Sequence, residues 1–307
     1  MKWNNIQLLE EIKSMDKLTP IQNSKSILGE GPLYNELENS LYWTDIKDKK
    51  IYKYDLKTKE TKYYQFNKAI GSFAFTNTNE LIATTNDGYE YLNLENNETT
   101  IINNPEENLP ENRFNDGKCD KNGRYFAGTM DNNEEEIKGS LYCLDGNSTE
   151  KKETNLFISN GLGWNKNSTK FYLTDSPKRV IYVYDYDLET GTLSNRQVFA
   201  NIDEKDGYPD GLCVDDEDHI WSAHWYGWRV TRYRPDGSID KVYSLPVPKV
   251  TSCNFGGVDL KTLYITTAAF GLSEQELEVA PLSGHTFILE TNVKGQQPNL
   301  FKQLNTI

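Results

Sequence analysis

Residues that could bind a metal ion stand directly before a recurring glycine. The four such residues are Glu30, Asp116, Asn160 and Asp210. Each begins a short apolar segment and supplies a carboxylate or amide oxygen. Aligning the segments that follow adds Ile70 and Thr251, so six units recur at a spacing of roughly 40 to 50 residues. If these segments converge on one axis, their oxygens meet at one rim, where they would hold a hard divalent cation.

The elements that must position these residues repeat in one order. In the first unit, short apolar or aromatic segments separated by turn residues cover 32–35, 41–45, 51–55 and 61–64. The fourth unit repeats this order at 160–164, 170–174, 180–184 and 197–201, and the fifth at 211–214, 219–223, 229–233 and 241–245. Helical periodicity is nearly absent. We therefore predict an all-β fold, a six-bladed β-propeller with a central metal-binding channel. A β-sandwich competes with it, but a sandwich does not require one strand of each unit to begin with an oxygen-bearing residue.

The whole-chain composition limits the domain organisation and the partners. A chain of 307 residues can form one large closed β domain, which we assign to 25–307, with an N-terminal extension at 1–24 that either caps the propeller or lies on its surface. The net charge of −13 argues against nucleic-acid and anionic membrane partners, since both require clustered Lys and Arg. No apolar run approaches the length of a bilayer span, and no signal peptide is recognisable. We expect a cytoplasmic protein that is a monomer or a weak dimer.

The cysteine, histidine and serine patterns do not indicate another catalytic site. The cysteines at 119, 143, 213 and 253 lack the paired spacing of a zinc or redox site, and we expect buried free thiols. The histidines at 219, 224 and 285 lack the spacing of a helical zinc motif. His224, in the segment HisTrpTyrGlyTrp, either faces the channel or packs in the core. The chain has no GlyXaaSerXaaGly nucleophile motif and no phosphate-binding lysine loop.

Several longer motifs, in a fixed order, resemble one protein family. They are GlyGluGlyPro at 29–32, ArgPheAsnAspGlyLysCysAsp at 113–120, IleSerAsnGlyLeuGlyTrp at 158–164, TyrProAspGlyLeuCysVal at 208–214 and ThrSerCysAsnPheGlyGly at 251–257. Together they resemble the SMP-30/gluconolactonase/luciferin-regenerating enzyme family, which includes regucalcin. The resemblance covers nearly the whole chain after the first two dozen residues. It implies a six-bladed propeller, the fold that the spacing of the units also predicts.

The resemblance further implies a cation site in the channel. Family members hold one divalent cation with a Glu, an Asn and an Asp from three blades, and these correspond here to Glu30, Asn160 and Asp210. Two carboxylates supply charge and the amide oxygen supplies a third ligand, while the other coordination positions stay open to water and substrate. The sequence does not select among Ca²⁺, Zn²⁺, Mg²⁺ and Mn²⁺.

The resemblance also implies which residues contact the substrate. Asn115 approaches the cation through a water or a substrate oxygen, and Arg113 contacts the hydroxyls of a sugar-like substrate. Alternatively, Arg113 forms a surface ion pair with Glu111 or a neighbouring loop. Asp116 shares the repeat position of a ligand, but the family pattern gives that role to Asn115. We therefore interpret Asp116 as a residue that lies behind the ligands.

The chain departs from the family after the ThrMet pair at 129–130. Regucalcin-like members carry a substrate-contacting Glu three residues later, where this chain has Asn133, followed by Glu134, Glu135 and Glu136. An amide can still donate to and accept from sugar hydroxyls, so Asn133 is a candidate substrate-binding residue. The acidic run that follows either contributes to the site or forms a solvated loop.

The function implied by the resemblance is hydrolysis of a sugar lactone, an aldono-1,4- or 1,5-lactone such as gluconolactone. In this hypothesis the cation polarises the ring carbonyl and activates water, and Asp210 accepts the proton as the catalytic base. A calcium-binding regulatory protein, as the name regucalcin implies, and a hydrolase of organophosphate esters remain as alternatives. Open coordination positions together with Arg113 and Asn115 favour catalysis, since a calcium buffer gains affinity from a closed oxygen cage.

Overall fold

The computed structural model of the protein describes residues 18–303. These residues form six four-stranded antiparallel sheets. Five sheets are built from consecutive strands, and the sixth joins strands from both ends of the chain. The sheets are the blades of a β-propeller, which confirms the predicted fold.

The first three blades follow a short N-terminal strand. The strand bounds are β1 (Leu18–Pro20), β2 (Gly29–Asn35), β3 (Ser40–Asp45), β4 (Lys50–Asp55), β5 (Thr61–Gln65), β6 (Ile70–Phe75), β7 (Leu81–Thr85), β8 (Gly88–Leu92), β9 (Thr99–Asn103), β10 (Asn112–Cys119), β11 (Tyr125–Asp131), β12 (Gly139–Asp145) and β13 (Ser148–Leu156). Blade 1 contains β2–β5, blade 2 contains β6–β9 and blade 3 contains β10–β13.

The other three blades complete the ring. Their strands are β14 (Ser159–Trp164), β15 (Lys170–Asp175), β16 (Val180–Asp187), β17 (Thr192–Asn201), β18 (Tyr208–Val214), β19 (Ile220–Trp225), β20 (Arg229–Tyr233), β21 (Ile239–Ser244), β22 (Val250–Gly256), β23 (Thr262–Thr267) and β24 (Phe287–Glu290). Blade 4 contains β14–β17, blade 5 contains β18–β21, and blade 6 contains β22, β23, β24 and β1. A 3-10 helix covers Glu204–Asp206 and an α-helix, α1, covers Glu274–Val279. Within residues 18–303, no helix has the length and apolar character needed to cross a membrane.

Blade 6 closes the ring by pairing the two ends of the chain. Strand β1 is the outermost strand of this blade and pairs with β24. The backbone N–H of Ile21 then donates to the carbonyl of Thr286 at 2.8 Å. The propeller therefore begins before residue 25, where the sequence analysis placed its boundary, because a strand of three residues is too short to show an alternating pattern. The rest of the predicted extension, residues 1–17, lies outside the described residues.

Apolar side chains between neighbouring blades hold the sheets together. The second strand of blade 1 is buried at every residue, whereas its fourth strand is largely open to solvent. Between blades 1 and 2, Tyr42 and Ile51 pack with Phe73 and Phe75. The rings of Tyr42 and Phe75 meet edge to face, with centroids 5.1 Å apart. Full burial of one such side chain contributes about 1.5–3 kcal/mol, so the β-branched and aromatic runs of the sequence stabilise the contacts between blades.

The first strand of each blade carries a β-bulge. In blade 4 the pairing with β15 breaks between Ser159 and Leu162, and in blade 5 the pairing with β19 breaks between Pro209 and Leu212. A bulge interrupts the alternation of side chains along a strand and can redirect one of them. The oxygen-bearing residues of the sequence pattern lie at these bulges.

The recurring glycine has a packing role at the centre of the propeller. A Cβ at Gly161 would lie 2.2 Å from the backbone nitrogen of Leu212, and a Cβ at Gly211 would lie 2.2 Å from Oγ of Ser252. Each glycine therefore allows the first strand of the next blade to approach closely. Crowding between neighbouring first strands thus explains Gly161 and Gly211, whereas Gly31 has open space around it and a positive φ of 54°.

A C-terminal segment crosses the end of the channel at which the first strands of the blades finish. We call this segment, Lys294–Gln303, the C-terminal strap. Its backbone and side-chain hydrogen bonds to blades 2–5 join Phe301 to Phe75, Asn299 to Cys119, Gln296 to Trp164 and Lys294 to Asp216. Beneath the strap lies a cavity of about 70 Å³, whose lining includes Asp116, Lys118 and strap residues 296–299.

Candidate metal and substrate site

A larger cavity, of about 410 Å³, opens at the end of the channel where the first strands begin. Residues from blades 1, 3, 4, 5 and 6 line it. Its charged and amide-bearing lining residues are Glu30, Lys47, Arg113, Asn115, Asn132, Glu134, Asn160, Asp210 and Lys249. The structure thus brings together five of the predicted site residues, which are Glu30, Arg113, Asn115, Asn160 and Asp210.

Glu30 and Asp210 form the acidic floor of this cavity. Their residues are only 9% and 5% exposed. Burial and the charge of Asp210 raise the pKa of Glu30, while burial and the charge of Asp116 raise the pKa of Asp210. Among residues 18–303, the buried Oδ1 of Asp210 has no hydrogen-bond partner. Such a carboxylate is costly to keep ionised unless a cation lies next to it.

The amide of Asn160 lies beside Asp210. Its Nδ2 donates to Oγ of Ser176 at 3.0 Å, and a hydrogen bond from Asn160 partly offsets the raised pKa of Asp210. Both effects use the N–H groups of the amide, because only these can donate. The carbonyl oxygen of Asn160 accepts no hydrogen bond within the part of the chain that the structure describes, so it is available as a third oxygen ligand.

Arg113 is held inside the cavity instead of being paired at the surface. Its Nη1 donates to the carbonyl of Phe114 at 3.1 Å and to Oδ1 of Asn115 at 2.9 Å. Asn115 is fixed in turn, because its Nδ2 donates to the carbonyl of Ser159 at 3.0 Å. Burial lowers the pKa of Arg113, and nearby carboxylates counter this effect. Arg113 forms no ion pair within 4.0 Å among the described residues, so the alternative pairing with Glu111 is not observed.

The bulge in blade 3 explains why Asn115 lines this cavity and Asp116 does not. Asn115 is the first residue after the paired part of β10, as Asn160 and Asp210 are in their own blades. Asp116 stands where those blades have the recurring glycine, and it lines the smaller cavity beneath the strap. Counting back one residue from the glycine selects Asp116 as the third residue of the sequence series. The residue that is structurally equivalent to Asn160 and Asp210 is Asn115, one position earlier. Gly117 supports this, since a Cβ there would meet the preceding blade instead of the following one.

The structure does not place Asn133 in the cavity wall. Strand β11 ends at Asp131, whose carboxylate accepts from the backbone N–H groups of Asn133 and Glu135 at 3.3 and 3.0 Å. In the turn that results, Asn132 and Glu134 line the cavity, whereas Asn133 is exposed outside it. Glu134 has a positive φ of 59°, which the linear pattern does not reveal. In this loop, Asn132 and Glu134 are therefore better candidates for contact with a substrate than Asn133.

His224 packs behind the cavity wall. It is 1% exposed and does not line the cavity. Its Nδ1–H donates to the carbonyl of Asp206 at 2.8 Å, and its Nε2 lies 3.5 Å from the hydroxyl of Tyr233. Burial lowers the pKa of His224 to about 4. The ring is therefore neutral and hydrogen-bonded, which supports the packing alternative for this residue.

The outer wall of the cavity was not predicted from the sequence. This wall includes Lys47, Tyr208, Trp225, Lys249 and Phe270. Trp225 belongs to the aromatic segment noted in the sequence, but the two lysines and Phe270 carry no motif. They lie just outside strands of blades 1 and 6, and only closure of the ring places them side by side. The sequence indicates only that these residues lie next to strand ends, on the side of the propeller where the first strands begin.

Another group of potential metal-binding side chains, Asp215, Glu217 and His219, lies at the strap end of the channel. Oδ2 of Asp215 accepts from Nε1 of Trp221 and from Nε of Arg232, both at 2.9 Å. Its Oδ1 accepts from the backbone N–H of His219, also at 2.9 Å. Protein donors already satisfy this carboxylate, so we assign Asp215 a structural role.

The fold and the larger cavity define a class of protein, a six-bladed propeller with carboxylate and amide side chains from several blades at one end of its channel. The family model described as SMP-30/Gluconolactonase/LRE-like region matches residues 28–269. The chain belongs to this family, as its sequence motifs indicated.

Individual relatives agree with this assignment over most of the chain. YvrE of Bacillus subtilis, a proposed sugar lactone lactonase, is 35% identical over 280 residues, which are 90% of this chain and 95% of that protein. Regucalcin of Sus scrofa is 37% identical over 278 residues, covering 88% and 93% of the two chains. The crystal structure of a calcium-binding protein, regucalcin of Agrobacterium tumefaciens, superposes with a TM-score of 0.89 at 26% identity, covering 92% of this chain and 96% of that one.

Proposed function

We propose that the protein is a divalent-metal-dependent hydrolase that opens sugar lactones, namely aldono-1,4- or 1,5-lactones such as gluconolactone. The observation that carries the proposal is the buried Oδ1 of Asp210, which lacks a hydrogen-bond partner in residues 18–303 and shares the cavity with Glu30, Asn160 and Arg113. The family membership and the relative proposed to be a sugar lactone lactonase support the same reaction class.

The residues at the cavity floor fit a hard divalent cation. Glu30 and Asp210 would supply two carboxylate oxygens, and the free carbonyl oxygen of Asn160 would supply a third. Their positive partner would reverse the rise in the pKa of both carboxyl groups. A bound dication would polarise a lactone carbonyl and make a bound water more acidic. Ca²⁺, Zn²⁺, Mg²⁺ and Mn²⁺ all accept oxygen ligands, so the choice among them is left to experiment.

Side chains of the protein would bind the substrate and transfer the proton. Arg113 would hold sugar hydroxyls with its fixed set of donors, and its contact with Asn115 limits how far the guanidinium can move. Asp210 would accept a proton as the water oxygen bonds to the carbonyl carbon. The acyl carbon–oxygen bond of the ring then breaks, and the departing ring oxygen takes a proton to become a hydroxyl. The product is the open hydroxy acid, with water as the only co-reactant.

A calcium-binding role is the second candidate, because relatives carry the name regucalcin. The size of the cavity favours catalysis, since about 410 Å³ leaves room for a small ligand beside an ion. A protein that only binds calcium would be expected to surround the ion with its own oxygens.

Acid release during turnover tests the proposal. Gluconolactone, other aldonolactones and a fluorophosphate ester are offered to the protein after chelation and after each metal is restored. We expect metal-dependent acid release from at least one lactone, and its loss by a factor of roughly a thousand or more in Asp210→Ala. Asp203→Ala, which removes an exposed carboxylate that pairs with Lys205, is the matched control.

The pattern of outcomes separates the candidates. Lactonase activity that survives in Asp210→Ala would overturn the assignment of the base. Release only from the fluorophosphate ester would move the protein to the organophosphate hydrolases. Tight calcium binding by calorimetry, without turnover of any substrate, would favour the calcium-binding role.

A further inference from the structure

The outer wall of the cavity is rich in positive charge, although the whole chain has a net charge of −13. Lys47 and Lys249 line this wall, and Arg113 lies deeper in the cavity. Glu134 is the acidic residue on the same wall. The floor of the cavity is acidic, so its two ends differ in charge.

Lys249 is a buried ammonium group without a carboxylate partner. The residue is 3% exposed, and it forms no ion pair within 4.0 Å among residues 18–303. Its Nζ donates to the carbonyl of Phe270 at 2.6 Å and lies 4.5 Å from the ring centroid of Trp225. Phe270 and Trp225 both line the cavity, so the ammonium is held at its wall.

The hydrogen bonding of Lys249 is incomplete. An ammonium has three N–H donors, and in the described part of the chain the carbonyl of Phe270 is the acceptor for one of them. Burial lowers the pKa of Lys249, and Glu276 and Glu134 counter this from beyond ion-pair distance. A buried cation gains most from an anion that also accepts its unused hydrogen bonds.

A second lysine contacts the same residue, Phe270. Nζ of Lys47 is 4.5 Å from the ring centroid of Phe270, whose carbonyl binds Lys249. Phe270 therefore contacts one ammonium through its ring and the other through its backbone. An anionic group placed over this residue would meet both positive charges.

We propose that Lys249 and Lys47 select lactones that carry an acidic substituent, a carboxylate or a phosphate, remote from the ring carbonyl. The proposal rests on the lactonase function proposed above and names its substrate class. The lactone carbonyl would lie at the floor with Asp210, and the acidic substituent would accept hydrogen bonds from Lys249 at the wall. A neutral sugar lactone would leave this ammonium without an anion.

Ligand binding tests the proposal without relying on turnover. Sorbitol 6-phosphate, glucarate and neutral sorbitol are titrated into the chelated protein by calorimetry. We expect at least one acidic polyol to bind roughly ten- to a hundredfold more tightly than sorbitol, as two or so charge-assisted hydrogen bonds allow. Which acidic polyol binds distinguishes a phosphate from a carboxylate substituent.

Four variants identify which lysine produces this preference. Lys249→Met is expected to abolish the preference, and Lys249→Arg is expected to restore part of it. Lys57→Met removes one positive charge from an exposed turn and is expected to leave the preference unchanged. Lys47→Met alters an exposed side chain, so it tests the wall even if Lys249→Met proves unstable in thermal unfolding.

Kinetics then connect binding to turnover. The ratio of kcat/KM for the 6-phospho derivative of gluconolactone, or for glucaro-1,4-lactone, to that for gluconolactone is expected to fall about tenfold or more in Lys249→Met, mainly through KM. Equal binding of acidic and neutral polyols by the wild-type protein overturns the charge-selection proposal even if lactones are hydrolysed. A Lys249-dependent preference without any lactonase activity supports it and overturns the proposed reaction instead.

Discussion

Asp210 and Asp215 occupy opposite ends of the same strand region in blade 5, and both are buried. Asp215 accepts hydrogen bonds from Trp221 and Arg232. Asp210 keeps one buried oxygen without a partner in the described chain. Donors of the protein itself thus neutralise Asp215, whereas Oδ1 of Asp210 has no such donor among the described residues. Burial alone therefore does not distinguish the two carboxylates, whereas their hydrogen-bond partners do.

Blade 3 repeats the contrast with different residues. At the strap end, Asp120 accepts from Nε of Arg124 at 2.7 Å and from the hydroxyl of Tyr186 at 2.6 Å. At the cavity end, Asn115 is the first residue of the bulge and lines the larger cavity. In both blades a buried aspartate at the strap end is therefore paired with an arginine, whereas a polar residue of the bulge lines the larger cavity.

The largest effect on stability should come from removing Asp215, the carboxylate whose hydrogen bonds are all made within the protein. Asp215→Ala should lower the free energy of unfolding by about 2–4 kcal/mol, because it leaves buried donors of Trp221 and Arg232 without their acceptor, while Glu217 and Asp240 still neutralise Arg232. Asp210→Ala, in the presence of chelator, should leave the free energy of unfolding equal or higher, since it removes an unsatisfied carboxylate. Urea denaturation of both variants measures this. A similar loss in both would show that the two ends do not differ.

The dependence of stability on pH tests His224, a buried residue near the cavity whose ring is hydrogen-bonded within the protein. An unfolded histidine titrates near 6.5 and folded His224 near 4, so between these pH values the unfolded chain binds the extra proton. The free energy of unfolding contributed by His224 should therefore decrease as the pH falls through this window, by up to about 3 kcal/mol. Urea denaturation of wild type and His224→Asn from pH 7.5 to 4.5 measures the difference.

The comparison with His224→Asn is needed because Glu30 and Asp210 act in the opposite direction. Their raised pKa values mean that the folded, metal-free protein binds protons more readily than the unfolded chain, so their contribution grows as the pH falls. Only the difference between the two proteins isolates the histidine. Parallel stability curves for wild type and variant would contradict a neutral buried ring.

The stabilisation produced by added metal shows whether the cation binds at the cavity end or at the strap end of the channel. A dication at one hundred times its dissociation constant should raise the free energy of unfolding by about 2.7 kcal/mol. We expect this gain in the wild type and in Glu217→Gln, and its absence in Asp210→Ala. Thermal unfolding with and without each metal measures it. Loss of the gain in Glu217→Gln alone would place the cation near the strap.

The sequence was sufficient for the propeller because its signals are local and repeated. Strand segments at 41–45 and 51–55 agree with β3 and β4 to within a residue. The spacing of the glycines reports a real constraint, the close approach of neighbouring first strands at positions such as Gly161. Such regularities survive in a linear sequence because every blade repeats them.

The site was harder to predict where it depends on single-residue geometry. Asn133 was assigned from the family resemblance, as the third residue after the ThrMet pair, but the turn at Asp131 presents Asn132 and Glu134 to the cavity instead. Lys249 could not be found at all, because its meeting with Phe270 depends on segments on either side of β22 and β23. Roles for Glu30, Asn160 and Asp210 stay predictions, although the structure brings these residues into one cavity.

The C-terminal strap lies across one end of the channel and narrows it. Strap residues 296–299 line a cavity of about 70 Å³ there, against about 410 Å³ at the opposite end. Under the proposed function, the lactone and the open hydroxy acid would share the wide cavity, so accumulating acid should compete with the lactone for binding. Removing residues 296–303 would test whether the strap is a barrier to small molecules at the narrow end.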